Sequence, residues 1–409
     1  MTNIDDFIRR AEELDNANPL AAARARFDLP EKEIYFLGNS LGPLTHAARE
    51  AVVHTLDDEW RNGLVRTWHD GDWLDLAAAT GDRVARVIGA PAGSVVAGDS
   101  TSVALFKALS AAAGLNKSAA RTVLLCDSRN FPTDRYVARS VAELHGLDFV
   151  EVEVPAMEAR FGPDVAVMTA SMIDYRTADL HDVRAVTAAA HNAGALTVWD
   201  LAHAAGAVKC DVFDNNFDFA VGCGYKYLNG GPGAPAWIYA APRIVDSANQ
   251  PIPGWFGHAE PFAFEDSYRP AHGVTRFSSG TTHVLSMKAM HAALGVFEHY
   301  SIDEIRRTCI ALGDFFVEGF DRHLASSGFS LGSRRAGSDR GGHIALLHPR
   351  AEEMSKELID RGFIVDFRPP NVIRVAFSPL FLRFVDVARL IAGITRLKKP
   401  VSRPTTVDA

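Results

Sequence analysis

Between about residues 95 and 240, short apolar runs alternate with segments of helical periodicity. Clear apolar runs occupy residues 122–126, 165–170 and 196–199. A strand that is apolar at successive positions must be covered on both faces, and such strands are typical of a mostly parallel sheet flanked by helices. The alternation therefore predicts an α/β fold for this part of the chain.

The C-terminal part of the chain follows a different, α+β pattern, in which three short predicted strands alternate with two helices. A chain of 409 residues also exceeds what one simple core usually organises. Single helical segments are predicted over 3–27 and 284–326, and a strand over 363–367. We predict an N-terminal helical segment over 1–37 that packs on the small domain, a large α/β domain over 38–295, a small α+β domain over 296–400 and a disordered tail over 401–409.

Composition and charge exclude several classes of protein. The net charge of −8, without a dense Lys/Arg stripe, speaks against a nucleic-acid partner. No apolar run approaches the roughly 18–20 residues that span a bilayer, and the polar, acidic N-terminal segment is unlike a signal peptide. The four cysteines are scattered, which argues against disulfides and against a zinc site. We expect a cytoplasmic protein without a membrane partner or a metal.

Two of the predicted strands end in side chains that carry chemistry. Asp200 and His203 follow one apolar run, and Lys226 follows the next within GCGYKYLNGGPG, residues 222–233. The carboxyl ends of parallel strands meet at one sheet edge, where ligands bind. A lysine there can hold pyridoxal phosphate (PLP) as a Schiff base, and a buried aspartate can keep the pyridine nitrogen protonated. A surface lysine or a capping aspartate explains either residue alone, but the pair favours PLP.

Other candidate cofactor contacts have structural alternatives. Ser100 and Thr101 begin a predicted helix and could bind a phosphate there, although a plain N-cap is the more common role of such residues. Phe131 follows another strand and could stack on the cofactor ring or simply pack. His203 could contact the cofactor or be a core histidine. The residues alone leave these alternatives open.

Taken together, the motifs resemble kynureninase, a family of fold-type I PLP-dependent hydrolases. The resemblance covers about residues 34–380 and rests on YFLGNSLGP at 35–43, FPTD at 131–134, WDLAH at 199–203, GYKYLNGGPG at 224–233, GWFGH at 254–258 and IRV at 373–375. It implies a large domain with a mostly parallel sheet between helices and a smaller C-terminal α+β domain. It also implies a homodimer with shared active sites that hydrolyses L-kynurenine to anthranilate and L-alanine in tryptophan catabolism.

The resemblance assigns roles to individual residues. Lys226 would hold PLP and move a proton, Asp200 would pair with the pyridine nitrogen, and Tyr225 would contact the phosphate or adjacent cofactor atoms. For the hydrolytic step, Tyr225 is also our candidate for donating a proton or stabilising an oxyanion. Phe131 would stack on the ring, and Trp255 and Thr281 would come from the neighbouring subunit. The implied cofactor-binding residues are Ser100, Thr101, Phe131, Pro132, Thr133, Asp134, Ser171, Asp200, His203, Tyr225, Lys226, Trp255 and Thr281.

The resemblance also implies a substrate pocket. Arg374 would bind the substrate α-carboxylate, and a guanidinium suits a carboxylate because it can donate two parallel hydrogen bonds. Ser40, Trp68 and Gly280 would line the rest of the pocket. Animal members of the family carry an asparagine where this chain reads Gly280-Thr281, so we expect 3-hydroxykynurenine, which would give 3-hydroxyanthranilate, to be the weaker substrate.

Three rival interpretations lack a feature that they need. The nearest rival is another fold-type I PLP lyase, such as a cysteine desulfurase. A desulfurase requires a nucleophilic cysteine on a late, mobile loop, but beyond residue 280 the only cysteine is Cys309, within a helical pattern. A nucleotide-binding oxidoreductase requires a GxGxxG turn after its first buried strand, and none is present. A non-catalytic binding protein would be expected to have lost Lys226 or Arg374, and the chain retains both.

Overall fold

The computed structural model describes residues 4–397, so the predicted tail over 401–409 lies outside the described residues. The α-helices are α1 Ile4–Asn16, α2 His46–His54, α3 Thr67–Asp70, α4 Leu76–Ile88, α5 Thr101–Asn116, α6 Pro132–His145, α7 Val154–Arg160, α8 Val183–Asn192, α9 Val284–Ala293, α10 Ile302–His323, α11 Ala351–Asp360 and α12 Phe384–Thr395. The strands are β1 Ile34–Tyr35, β2 Val95–Gly98, β3 Val123–Asp127, β4 Asp148–Val152, β5 Val165–Ser171, β6 Leu196–Asp200, β7 Phe219–Cys223, β8 Ala236–Ala240, β9 Ser330–Leu331, β10 His343–Leu347, β11 Phe363–Ile364, β12 Asp366–Arg368 and β13 Val372–Ala376.

A seven-stranded sheet in the order β2-β8-β7-β6-β5-β3-β4 organises the first part of the fold. β8 is antiparallel to both of its neighbours, whereas β4, β3, β5, β6 and β7 are mutually parallel. Every residue of β3, β5 and β7 is buried, as expected for strands covered on both faces. The predicted mostly parallel α/β sheet is confirmed, and it brings the carboxyl ends of β5, β6 and β7 to one edge.

A second, antiparallel sheet forms in the C-terminal part, in the order β12-β13-β10-β9. In this sheet Asp366 lies directly opposite Arg374. The short strand β1 pairs in parallel with β11, and α1 packs against α12. Through these contacts the N-terminal segment joins the C-terminal layer.

The described chain has two hydrophobic cores. One surrounds the seven-stranded sheet, and the other lies among α1, α10, α12 and the antiparallel sheet, with Phe7 and Phe316 as large buried members. We propose that these cores correspond to the large and small domains, with the boundaries predicted from the sequence. Among residues 4–397, none of the helices combines the length with the hydrophobicity that a membrane-spanning segment requires.

Three local predictions were too simple. The helix expected over 3–27 ends at Asn16, because Pro19 lacks the N–H that would continue the helical hydrogen bonds. A short 3₁₀ helix follows over Ala21–Arg26. The helical region over 284–326 is interrupted because Ser301 and Glu304 form a capping box that starts α10 afresh. The strand expected over 363–367 divides between two sheets as β11 and β12.

Candidate active site

A cavity of about 280 Å³ lies at the carboxyl ends of the central strands. Because β5, β6 and β7 run parallel, the residues at and just after their ends meet there. Ten of the residues expected from the sequence line this cavity: Ser40, Thr101, Phe131, Thr133, Asp134, Asp200, His203, Tyr225, Lys226 and Arg374.

A tight turn after β7 carries Lys226. The Gly224 N–H donates to the Pro235 carbonyl (2.9 Å) and closes the turn. A Cβ on Gly224 would lie 2.7 Å from the carbonyl oxygen of Pro235, and this backbone atom cannot move aside as a side chain could, so the position requires glycine. Lys226 lines the cavity, and its Nζ lies 3.0 Å from His203 Nε2.

His203 is buried and neutral. Burial lowers the pKa of His203 well below its usual value, and the positive charge of Lys226 lowers it further. An ammonium group only donates hydrogen bonds, so we assign Nε2 as the acceptor from Lys226 and Nδ1 as the protonated nitrogen. This Nδ1 is buried and has no hydrogen-bond partner among residues 4–397.

Asp200 is the last residue of β6, and two hydrogen bonds orient its carboxylate. The Ala202 N–H donates to Oδ1 (2.8 Å), and the Ser171 hydroxyl donates to Oδ2 (3.1 Å). Ser171 is paired with Asp200 across β5 and β6, and its own N–H donates to Asn130 Oδ1 (2.7 Å). Ser171 therefore orients the Asp200 carboxylate but does not itself line the cavity.

A second buried carboxyl group, that of Asp134, shares the cavity with Asp200. Burial raises the pKa of Asp134 well above its usual value, and the negative charge of Asp200 raises it further. Burial also raises the pKa of Asp200, but the positive charge of Lys226 opposes that effect. Two neighbouring buried carboxyls do not both ionise readily, so Asp134 keeps the proton and Asp200 carries the charge.

The N terminus of α5 borders the same cavity. Ser100 is its N-cap residue, but the Ser100 side chain makes no capping hydrogen bond. Thr101 Oγ1 is buried and has no partner within the described part of the chain. A plain N-cap therefore does not account for these hydroxyls, whereas the free N–H groups and the dipole of a 16-residue helix favour an anion.

The segment FPTD begins α6, with Phe131 as N-cap residue and Pro132 at the start of the helix. The Phe131 side chain is 42% exposed and meets Tyr175 edge to face, with 5.2 Å between ring centroids. The ring lies outside both hydrophobic cores, so simple packing does not explain it. Thr133 and Asp134, from the first turn of α6, line the cavity beside it.

Arg374, on β13, is almost completely buried, and its guanidinium has fixed acceptors. Its Nε and Nη2 donate to Asp366 Oδ1 (2.9 Å) and Oδ2 (2.5 Å), and its Nη1 donates to the Tyr175 carbonyl (2.8 Å). Burial raises the pKa of Asp366, but the hydrogen bonds and charges of Arg374 and Arg368 outweigh it, so the pKa is lowered overall. These bonds use three of the five guanidinium N–H groups and leave two for a carboxylate.

Seven of the expected residues do not line this cavity. Three of them are next to lining residues or bonded to them, namely Ser100, Pro132 and Ser171. The other four lie elsewhere on the chain: Trp68, Trp255, Gly280 and Thr281. Trp68 and Trp255 both contact Phe256, at 5.8 and 4.3 Å between ring centroids. Within one chain, these four residues therefore do not line the cavity that holds Lys226.

Comparison with known proteins identifies the family. The model for aminotransferase class-V matches residues 49–329, and the model for the kynureninase C-terminal domain matches residues 305–394. The kynureninase of Deinococcus radiodurans is 41% identical over 407 residues, which cover 97% of this chain and 98% of that protein. The kynureninase of Pseudomonas fluorescens is 40% identical over 379 residues, 91% of each chain. The chain belongs to the kynureninase family.

Solved structures with the same fold include PLP enzymes. The cystine C–S lyase C-DES, in a form with glycine covalently linked to its PLP cofactor, superposes with a TM-score of 0.81 at 16% identity, over 91% of this chain and 99% of that chain. A cysteine desulfurase from Thermococcus onnurineus superposes with a TM-score of 0.79 at 17% identity, over 92% and 97%. This likeness shows the fold alone. The predicted fold-type I architecture is confirmed.

Kynureninases are PLP-dependent hydrolases, and the residues of the cavity fit this cofactor. Lys226 would supply the amine for its aldehyde, Asp200 would supply a carboxylate for its pyridine nitrogen, and the start of α5 would supply donors for its phosphate. Thr101 Oγ1 and His203 Nδ1 are buried polar atoms that have no protein partner within residues 4–397, and a bound cofactor would supply one. The predicted cofactor is therefore confirmed, whereas the roles of individual residues stay predictions.

The cysteine desulfurase alternative lacks a nucleophile. Cys309 lies buried within α10, and its Sγ donates to the Phe377 carbonyl (3.1 Å). Burial raises the pKa of the Cys309 thiol. A reactive cysteine needs an accessible thiol with a lowered pKa, and Cys309 has neither property.

The residues of the site that the sequence did not indicate include Asn39, Tyr175, Asp366 and Arg368. A signal existed for Asp366, because it is a charged residue in the otherwise apolar predicted strand FIVDF, and Arg368 follows at the same-face spacing of two. Asn39 stands within the motif YFLGNSLGP, directly before the predicted site residue Ser40. The backbone carbonyl of Tyr175 makes the contact with Arg374, and no side-chain pattern marks a carbonyl.

Proposed function

We propose that this protein hydrolyses the Cβ–Cγ bond of L-kynurenine to anthranilate and L-alanine, as part of tryptophan catabolism in the cytoplasm. The observation that carries the proposal is that one cavity holds the amine of Lys226, the carboxylate of Asp200 and the guanidinium of Arg374. These are the groups needed to hold PLP, tune its ring and bind an amino-acid carboxylate. The relatives named kynureninase, about 40% identical, support the choice of substrate.

PLP, when bound, supplies an electron sink for the bond cleavage. The Lys226 amine is the candidate group that moves the proton at the substrate α-carbon, since it lies in the cavity within hydrogen-bond distance of His203. Asp200 would hold a proton on the pyridine nitrogen, because it is the ionised member of the Asp134–Asp200 pair. Asp134 keeps its own proton and would therefore add no second negative charge beside Asp200.

Tyr225 and Arg374 would act on the substrate side. Burial raises the pKa of Tyr225, and the neighbouring Cys223 raises it further, so the hydroxyl stays protonated near neutral pH. A protonated hydroxyl in the cavity can donate to an oxygen on which negative charge develops during hydrolysis of the ketone. Arg374 would bind the α-carboxylate through its two free N–H groups.

The direct test is product analysis. The purified protein with PLP is mixed with L-kynurenine, and anthranilate and L-alanine are quantified by chromatography. Equal amounts of both products support the proposal. Protein that has bound PLP but releases neither product would contradict it, and a parallel incubation with L-cysteine tests the desulfurase alternative by release of sulfide.

An exposed apolar surface supports a homodimer. Most of the large exposed hydrophobic side chains come from two segments, 41–65 and 252–285. Helix α2 lies in the first segment and packs against α9, which begins at the end of the second. Two open apolar grooves of about 630 and 760 Å³ lie on this surface and share Leu285. Thr281 and Trp68 line the first groove. A second copy seated here would approach these residues, as expected if the subunits share active sites.

The double substitution Trp60→Glu and Val65→Glu is expected to give monomers with little activity. These side chains are 54% and 72% exposed on the first groove, and a buried, unpaired carboxylate there would strongly oppose association. Sedimentation velocity measures the mass, and circular dichroism checks the fold. Leu144→Glu, at a side chain that is 68% exposed on α6, is the matched control and should stay dimeric. A dimeric, active double variant would refute the proposed interface.

Thr281→Asn is expected to shift selectivity from L-kynurenine toward 3-hydroxykynurenine. A substrate hydroxyl that is desolvated without a partner costs about 1–3 kcal/mol, or about 5- to 150-fold in kcat/KM. The asparagine amide would provide such a partner.

The measurement is kcat/KM for both substrates in the wild type and the variant. Thr281→Val is the control, since it keeps the shape but has no hydroxyl and should leave the preference for L-kynurenine in place. A wild type that favours 3-hydroxykynurenine, together with a loss of that preference in Thr281→Val, would mean that the threonine hydroxyl already binds the ring hydroxyl.

A further inference from the structure

A second guanidinium, that of Arg368, lines the same cavity as Arg374. Asp366 and Arg368 are two residues apart on β12, so their side chains share one face of the sheet. Arg374 lies directly opposite Asp366 on β13 and therefore projects from that same face. The register of two short strands thus brings these three charged groups together.

One carboxylate joins the two guanidinium groups. Asp366 Oδ2 accepts from Arg374 Nη2 (2.5 Å) and from Arg368 Nη2 (2.9 Å), while Oδ1 accepts from Arg374 Nε (2.9 Å). No other carboxylate in the described residues forms an ion pair with either arginine. Two positive charges against one negative charge leave an excess of one positive charge at the wall of the cavity.

Arg368 also has unused donors. Its side chain is 34% exposed, and its Nε is buried without any acceptor among residues 4–397. The only hydrogen bond that the guanidinium makes within those residues is the one to Asp366, so four of its five N–H groups remain. A buried N–H of a charged group without an acceptor is costly, and a ligand carboxylate would satisfy both the donor and the excess charge.

We propose that Arg368 is a second binding residue for the substrate α-carboxylate. Arg374 and Arg368, bridged by Asp366, form a two-guanidinium receptor with one net positive charge, which a single carboxylate neutralises. Arg374 offers two free N–H groups and Arg368 offers four. A carboxylate has about four lone-pair sites, so it can accept from both guanidinium groups at once. The identity of the substrate rests on the function proposed above, but the recognition of an amino-acid carboxylate does not.

The experiment compares a carboxylate with its neutral amide. Arg368→Gln is expected to lower kcat/KM for L-kynurenine by about 10- to 100-fold, since charge-assisted hydrogen bonds are lost. The kcat/KM for L-kynurenine carboxamide should stay unchanged, as should the PLP content measured by absorbance. Arg368→Lys, which keeps the charge, should lie between the wild type and Arg368→Gln. Arg389→Gln, at an exposed arginine on α12, is the matched control and should match the wild type.

A second comparison separates direct binding from positioning of Arg374. In an Arg374→Gln background, a direct role predicts that a preference for acid over carboxamide persists and is lost when Arg368→Gln is added. If Arg374→Gln alone removes the whole preference, or if Arg368→Gln weakens acid and carboxamide equally, the proposal is wrong.

The same test does not depend on L-kynurenine. Dissociation constants of L-alanine and L-alaninamide, read from the absorbance of bound PLP, should show the same selective loss for the carboxylate in Arg368→Gln. A wild type that binds L-alanine in this way but does not turn over L-kynurenine would refute the proposed function and leave the assignment of Arg368 standing. Equal binding of L-alanine by the wild type and Arg368→Gln would refute the assignment itself.

Discussion

Lys226→Ala is expected to abolish hydrolysis of L-kynurenine, lowering kcat by at least about 10⁴-fold, because one substitution removes both the amine that holds PLP and the group that moves the proton. The protein should remain folded, since the Lys226 amine makes only one side-chain hydrogen bond within residues 4–397, to His203. Rapid-quench measurement of anthranilate gives the rate. Lys209→Ala, at an exposed lysine paired with Asp211, is the control and should keep full activity.

The assignment of Lys226 has a second, chemical readout. Borohydride treatment of the wild type should fix the cofactor to the protein, and peptide mapping should find it on Lys226. In Lys226→Ala the same treatment should leave the cofactor unattached. A reduced cofactor on any other lysine of the wild type would refute the assignment.

Asp200→Asn is expected to lower kcat by on the order of 100-fold or more, because a neutral amide cannot stabilise a proton on the pyridine nitrogen. The shape of the side chain is kept, so the hydrogen bond from the Ala202 N–H should survive and the cofactor should still bind. The measurement is kcat together with PLP content from absorbance.

Asp134→Asn provides a matched comparison for Asp200→Asn. Burial and the charge of Asp200 raise the pKa of Asp134, so Asp134 is already neutral and asparagine preserves that charge state. A loss of less than about tenfold in kcat is therefore expected, well below the loss in Asp200→Asn. Equal losses in the two variants would contradict the proposed division of charge between the two carboxyls.

Much of the fold could be predicted because the patterns that specify strands and helices lie within short stretches of sequence. The apolar runs of β5 and β7 had to be buried strands, and the order of strands and helices left few topologies other than a mostly parallel sheet. Helix boundaries were less predictable. The break before α10 depends on the capping residue Ser301, and the end of α1 depends on Pro19. The apolar periodicity alone would predict a continuous helix at both places.

The sequence alone determined which chemistry this protein carries, because Asp200 ends one buried strand, Lys226 follows the end of the next, and the ends of parallel strands must meet. Only the tertiary structure decided how the charges are arranged. Asp134 keeps its proton because folding buries it beside Asp200, and Arg374 is oriented because β12 sets Asp366 opposite it. Protonation and hydrogen bonding depend on distances between groups far apart in the chain, and these distances exist only once the strands have paired and packed.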